Sequence, residues 1–372
     1  MACALFLLHG RAPYSILLAS CLLLVFVECF DEECIQTRHP SPSCIVTDSL
    51  PLTEKGKLNF RAMTSVGNGY LATVVMSDEI HVSGLFNGRA NVIPDDEDKN
   101  PKSSRFKRNR NNNDTVLYPD WYFNHTHRAR IPSPVSINYT LPGNRNSKSG
   151  ESESSDYSHR LYMLDIKNGY FAQTVDTNEY TINQKTYAHR TLRNVIVTEV
   201  ETDVKILDHG DTLNFTVVSN MGPIKSHDID FEEIPLYHNL DFVMYRGTIK
   251  RSEYENQDLA SVVLLHTKIP SFRVLDRGLT RDVYITVITT SLPDDCGSNF
   301  EKDALFYYGK ARDMAANMDL LPSHAAAWNQ IWEDGNIMIS ENLHLAQTVY
   351  TSFYYILSST REDWKHGLSP GF

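Results

Sequence analysis

Positive charge, cysteine and long apolar runs are all scarce in this 372-residue sequence, and each shortage excludes something. There are 35 Lys and Arg against 46 Asp and Glu, a formal net charge of −11. Binding to a phosphate backbone rests on clustered cations that release counterions, so this balance argues against a nucleic-acid partner. The six cysteines contain no CxxC pair, which removes a zinc ribbon. After Val27 no stretch approaches the roughly 20 apolar residues that a bilayer span needs. GxSxG, HExxH and the phosphate-binding P-loop are missing as well. His125 and His127 lack a third ligand at a useful spacing and read as a solvated loop, so no metal and no cofactor is expected. Three acidic pairs, Asp95 with Asp96, Glu232 with Glu233 and Asp294 with Asp295, are adjacent in the chain and cannot face each other across a bond, so they read as surface charge.

What is present starts with a leader. Arg11, the apolar core from Ile16 to Val27 and the acidic FDEE after it have the layout of a secretory signal, with cleavage expected near Cys29. Residues 1–29 then leave with Cys3, Cys21 and Cys29, and the rest is expected in the secretory lumen, the lysosome included, or outside the cell, with no membrane attachment. Cys34, Cys44 and Cys296 remain. Cys34 with Cys44 closes the shorter loop, while either with Cys296 would tie distant parts together; spacing leaves both open. Four N-x-Ser/Thr sequons, at Asn113, Asn124, Asn138 and Asn214, are candidate glycosylation sites. Alternation places Leu213, Phe215 and Val217 on one strand face, and Val135, Ile137 and Tyr139 on another, so Asn214 and Asn138 are expected to point outward.

From Leu58 to Leu292 the pattern is β. YLATVVM (70–76) and EIHVSGLF (79–86) read as a hairpin with Ile80, Val82 and Phe86 on one face. PVSINYTL, HRLYMLDI, YFAQTVDT, NVIVTEVE, LNFTVVS, LDFVMYRGTI, ASVVLLHT and DVYITVITT read as further strands. Many strands with no interleaved helices predict a large antiparallel β-sandwich, over 30–292. Two polar tracts, near 94–116 and 142–157, read as disordered insertions, and RFKR (105–108) within the first as a solvated basic run. After Pro293 the period becomes helical. Ala304, Tyr308, Ala311, Ala315 and Met318 share one stripe; Ser323 is expected to cap a second helix carrying Trp328, Ile331 and Trp332; Ser340 or Asn342 is expected to start a third. Ala346, Val349, Tyr350, Phe353, Ile356 and Leu357 form its stripe, in which the five larger side chains are worth roughly 8–15 kcal/mol on full burial.

TSVGNGYLATVVMSDEIHVSGLFNG (64–88), KTYAHRTLRNVIVTEVE (185–201), SHAAAWNQIWEDGNIMI (323–339) and SFYYILSS followed by HGLSPG (352–371) together resemble the amino-terminal portion of glycoside hydrolase family 65, in its acid-trehalase-like branch. The resemblance implies a β-sandwich, a helical linker (293–340) and an (α/α)6 barrel of which residues 341–372 hold only the first helix. It implies an inverting α-glucosidase, in one branch acting on glucose linked to galactosyl-hydroxylysine of collagen, with an acid and a base on opposite faces of the sugar. The carbohydrate is then the partner. No residue of this sequence matches the family's catalytic carboxylates, so the chain is expected to be inactive alone; His366, in the loop near the barrel mouth, is its one candidate for the substrate-site rim. HGLSPGF, with Phe372 where the family pattern has a second Gly, reads as the end of a coding fragment or of an alternative transcript. The alternative expectation is a non-catalytic secreted sandwich that binds carbohydrate or a protein partner.

Overall fold

The computed structural model describes residues 34–88, 126–141, 159–205, 212–219, 221, 224–235, 240–253, 258–292, 299–335 and 337–366. The leader, Asn113, Asn124, His125, both polar insertions, RFKR, Asp95, Asp96, Asp294, Asp295, Cys296 and the residues after His366 lie outside them. A short helix α1 (Cys34–Thr37) opens the described chain and is followed by strands β1 (Cys44–Thr47), β2 (Ser65–Gly67), β3 (Leu71–Val74), β4 (Glu79–Val82) and β5 (Phe86–Asn87). Next come β6 (His127–Arg128), β7 (Ile131–Pro132), β8 (Ile137–Thr140), β9 (His159–Asp165), β10 (Tyr170–Asp176), β11 (Tyr180–Ala188) and β12 (Val195–Val204). Strands β13 (Leu213–Ser219), β14 (Ile229–Glu233), β15 (Phe242–Ile249), β16 (Ser261–Thr267), β17 (Phe272–Leu275) and β18 (Gly278–Thr290) complete the sheets. Three helices close the chain: α2 (Phe300–Ala316), α3 (Leu320–Asp334) and α4 (Leu343–Ser358).

Nine strands form one antiparallel sheet in the order β1-β9-β10-β11-β12-β18-β16-β15-β14, while β17-β13-β8, β2-β3-β4-β7 and β5-β6 form smaller sheets. Both faces of the large sheet are covered, which explains why β12 reads VIVTEV and not as a strict alternation. Val195, Val197, Val263, Leu265, Ile285 and Val287 pack under α2 and the start of α3, against Ala304, Tyr308, Ala311 and Leu320. The alternate residues Ile196, Val262, Leu264 and Ile288 meet Ile80, Val82 and Ile131 of the four-stranded sheet. Val200, Val204 and Tyr284 meet Ile137, Phe215 and Val217 of the three-stranded sheet. The expected sandwich followed by helices is therefore present, with the first helix laid on its outer face. Each such aliphatic side chain, fully buried, contributes about 1.5–3 kcal/mol.

Several local expectations are corrected. Phe86 does not continue the face of Ile80 and Val82: the chain turns at Ser83 and Gly84, Leu85 takes the buried position and Phe86 starts a separate two-stranded sheet. β11 is a nine-residue strand with no strong period, because Thr, Asn, Gln and Lys fill most of its positions. In α2, Asn299 caps Lys302 N and Ala304, Tyr308 and Ala311 are buried, but Met318 lies past the helix end with φ +58° and is exposed. Ser323 does not cap α3; the helix starts at Leu320, and Ser323 Oγ donates to Leu320 O inside it. Asn342 does cap α4, accepting from Leu345 N. The broad stripe of α4 splits: Ala346, Tyr350, Tyr354 and Leu357 face the sandwich and α3, while Phe353 and Ile356 are exposed.

Candidate functional site

The four sequence segments that carry the family resemblance converge on one place, where the end of α4 and the residues after it meet the sandwich. Asn68, in the β2–β3 turn, is its centre. Fully buried, it accepts from Tyr70 N (3.0 Å) and Leu71 N (2.8 Å) through Oδ1, and donates through Nδ2 to His189 O and Arg193 O, both at 2.9 Å. An amide side chain alone supplies two acceptor and two donor positions in one plane, and all four are used here. The turn is thereby stitched to the β11–β12 connection.

Three arginines then hold the chain beyond α4. Arg190 donates from Nη1 to Leu357 O (3.0 Å) and lies over the Trp328 ring at 5.3 Å. Arg361 Nη1 donates to Asn68 O (3.1 Å) and Arg190 O (2.9 Å), and Gly69 N donates to Ser358 O (2.7 Å). Arg193 lies over both Tyr70 and Trp364, 5.6 and 5.4 Å from the ring centres, and those rings meet edge to face at 4.7 Å. Asp363 is engaged by Arg361 at 2.5 Å and by Arg193 at 3.8 Å, and Arg361 holds its carboxyl below the ordinary range. That carboxylate ties Arg361 and Arg193 together.

His366 comes at the end of this clamp. Its ring lies 4.9 Å from Trp364 and against Gly84, where an added Cβ would stand 2.6 Å from the imidazole. Gly84 has φ +86°, so both the close approach and the backbone exclude a side chain there. Nε2 of His366 makes no hydrogen bond among the described residues. The structure thus places His366 against Trp364 and Gly84.

A second buried cluster fastens α3. His189 Nδ1 accepts from Leu192 N (3.1 Å), leaving Nε2 to donate to Leu320 O (2.9 Å). His324 Nδ1 accepts from Arg190 N (3.0 Å) and its Nε2 donates to Gly169 O (3.1 Å). Both rings are therefore neutral. Burial lowers His189 to about 4 and drives His324 well below the ordinary value. Beside them Tyr187 donates to buried Glu199 (2.5 Å), which also receives Arg281 (2.7 Å); burial and that carboxylate push the phenol up.

The remaining positions singled out in the sequence fall elsewhere in the fold. A disulfide joins Cys34 and Cys44. Asn214 is exposed and Asn138 half-buried, each on the outer side of its strand. His127 is not in a solvated loop: it is half-buried in β6, with Nε2 2.9 Å from Oδ1 of fully buried Asp228. Arg130 grips the same carboxylate at 2.7 and 2.9 Å. Burial would raise the Asp228 carboxyl, but the bonds from His127 and Arg130 hold it well below the ordinary range. Glu232 and Glu233 are exposed, as surface charge should be. No cluster of three or more His, Cys, Asp or Glu suited to a metal occurs among the described residues, and no described helix is long and apolar enough to cross a membrane. A crevice lined by Asn138, Phe171, Gln173 and Gln184 has a volume of 20 Å³, room for a water and not for a hexose. The residues that sequence reasoning missed are Asn68, Arg190, Arg193, Arg361 and Trp364. All but the last two stand inside the recognised segments, and REDW (361–364) fills the gap between two of them, a charged and aromatic run directly after a helix.

No family model matches the chain. Curated relatives do, and three of them are named protein-glucosylgalactosylhydroxylysine glucosidase. The one from Dictyostelium discoideum is 30% identical over 317 residues, 83% of this chain and 37% of the relative. Those from Gallus gallus and Mus musculus are 24% and 23% identical, over 84% of this chain and 37% and 38% of their own lengths. Among solved structures, a protein titled putative kojibiose phosphorylase from human microbiome superposes with a TM-score of 0.52 at 10% identity, covering 86% of this chain and 39% of that one. That likeness shows the fold. The chain spans well under half the length of the relatives it matches, and the resemblance read from the sequence is borne out.

Proposed function

We propose, for a chain related to the protein-glucosylgalactosylhydroxylysine glucosidases, that it forms the sandwich and linker of an inverting α-glucosidase that removes glucose from glucosylgalactosyl-hydroxylysine of collagen. In this reading residues 30–292 are the sandwich, 293–340 the linker and 341–372 the start of the catalytic barrel, in a protein that works in the secretory lumen or outside the cell. The reaction needs a carboxylic acid to protonate the glycosidic oxygen and a carboxylate to activate water on the opposite face of the sugar. Those groups come from polypeptide outside this sequence, and the chain alone has no turnover. Its contribution is positional: Asn68, Arg190, Arg193 and Arg361 hold the segment after α4, and with it His366, against the sandwich.

The observation that carries this is the 30% identity to the Dictyostelium glucosidase over 83% of the chain. The test is a chimera in which this chain replaces the matched part of that relative, assayed on glucosylgalactosyl-hydroxylysine beside the 372-residue chain alone. The chimera should release glucose, first as the β-anomer, and the chain alone none. Glucose release by the chain alone would overturn the scaffold role; a folded chimera without turnover would overturn the substrate.

A further inference from the structure

The three-stranded sheet β17-β13-β8 turns Phe215, Val217, Ile137 and Leu275 toward the large sheet. The alternate residues make its outer face, and the register brings two sequons together there. Asn214 lies directly opposite Val274, Thr216 lies between Phe272 and Thr140, and Val218 lies opposite Asn138. Both acceptor asparagines and both sequon threonines therefore share one surface, although 76 residues separate Thr140 from Thr216. The same surface carries apolar side chains without cover: Phe272 is 66% exposed, Val274 51% and Val218 48%. β17 is also an edge strand of this sheet. An uncovered apolar row on an edge strand invites self-association unless something lies over it. The Cys34–Cys44 disulfide fits a chain that matures in an oxidising compartment, where glycan transfer also occurs.

We propose that Asn214 carries an N-linked glycan whose first sugars lie across Val274 and Phe272 and cover this face, with the more recessed Asn138 as a lesser acceptor. Side chains directly opposite each other on paired strands stand about 5 Å apart, within reach of the first sugar ring. In the transfer, the bond from Asn214 Nδ2 to C1 of N-acetylglucosamine forms as the C1–O bond to a lipid-linked diphosphate breaks. The diphosphate leaves and the amide proton is lost to base. This reading rests on the secretory route proposed for the chain.

The full chain, secreted from cultured eukaryotic cells, is to be digested with peptide-N-glycosidase in ¹⁸O water and mapped by mass spectrometry. Asn214 should be occupied, and Asn214→Gln or Thr216→Ala should each remove one glycan. Both variants should bind a hydrophobic dye at least about twofold more than the glycosylated protein. Adding Phe272→Ser with Val274→Thr to Asn214→Gln should return dye binding to its original level. A bare Asn214 in a protein glycosylated at Asn113 or Asn124 overturns the proposal, and so does dye binding that ignores glycan loss. If no sequon is modified and Cys34 and Cys44 are found as thiols, the secretory reading falls together with it.

Discussion

Single side chains decide how the segment after α4 is held. Replacing Asn68 by Ala strands Tyr70 N, Leu71 N and two carbonyls in a dry turn, so it should cost roughly 3–5 kcal/mol in urea unfolding. Asp228→Asn should cost about 1.5–3 kcal/mol, because it removes the charge of a fully buried carboxylate that takes charge-assisted bonds from His127 and Arg130. Gly169 tests steric closeness: it has φ +71°, and an added Cβ would stand 2.1 Å from the Trp328 indole. Gly169→Ala should therefore lower Tm and also loosen α3, seen as raised Trp328 solvent quenching. None of these partners is visible in the order of residues, since Asn68 and Arg361 are almost three hundred positions apart. What the sequence did disclose was that the segments holding GNGYL and YAHRTL are two of the four that carry the family resemblance; the bonds from Asn68 to His189 O and Arg193 O join them in space.

At the level of elements, α4 shows what periodicity can and cannot say. Its existence and its Asn342 cap derive from local chemistry. Which half of its apolar surface is used does not, since Val, Tyr, Phe, Ile and Leu occupy most of the circumference. Tyr354 is fully buried, 5.2 Å from Trp328, with its hydroxyl on Ser65 O, whereas Ile356 is 57% exposed. Tyr354→Ala should cost about 3–5 kcal/mol and Ile356→Ala less than about 0.5 kcal/mol, read by denaturant midpoint. A larger effect at Ile356 than at Tyr354 would mean that α4 packs by its other side. The exposed half would be the half offered to the rest of a barrel, if the proposed function holds. β11 teaches the complementary lesson: its weak alternation hid it because β10 and β12 supply its pairing, and cross-strand hydrogen bonds need no apolar period.

For the molecule as a whole, histidines that the fold holds neutral set the response to acid: His189, His266 and His324 are buried, His81 is half-buried, and each is lowered from its ordinary value. Burial lowers His81 and His189 to about 4 and His324 further, all below the value near 6.5 of an unfolded chain. Between those limits the unfolded state binds more protons, so stability is complete above about pH 6.5 and declines as pH falls toward 4. A shift of that size is worth about 3 kcal/mol for each of His81 and His189. Asp165, raised by burial, offsets part of this at the acid end, while Asp176, held at about 2 by Lys205, loses its contribution only below pH 4. A urea titration at pH 7 and pH 5 should show the midpoint falling at pH 5, and His189→Gln should flatten that slope. Alternating apolar residues, the helical period after Pro293 and the Asn cap determined, from sequence alone, the order of strands then helices and most of their positions, because those features rest on local burial and local hydrogen bonds. Only the tertiary structure decided which faces of the large sheet are covered by what, which half of α4 is buried, and that Asn68, Arg190, Arg361 and His366 belong to one place. Such contacts join residues far apart in the chain, and no local period carries that information.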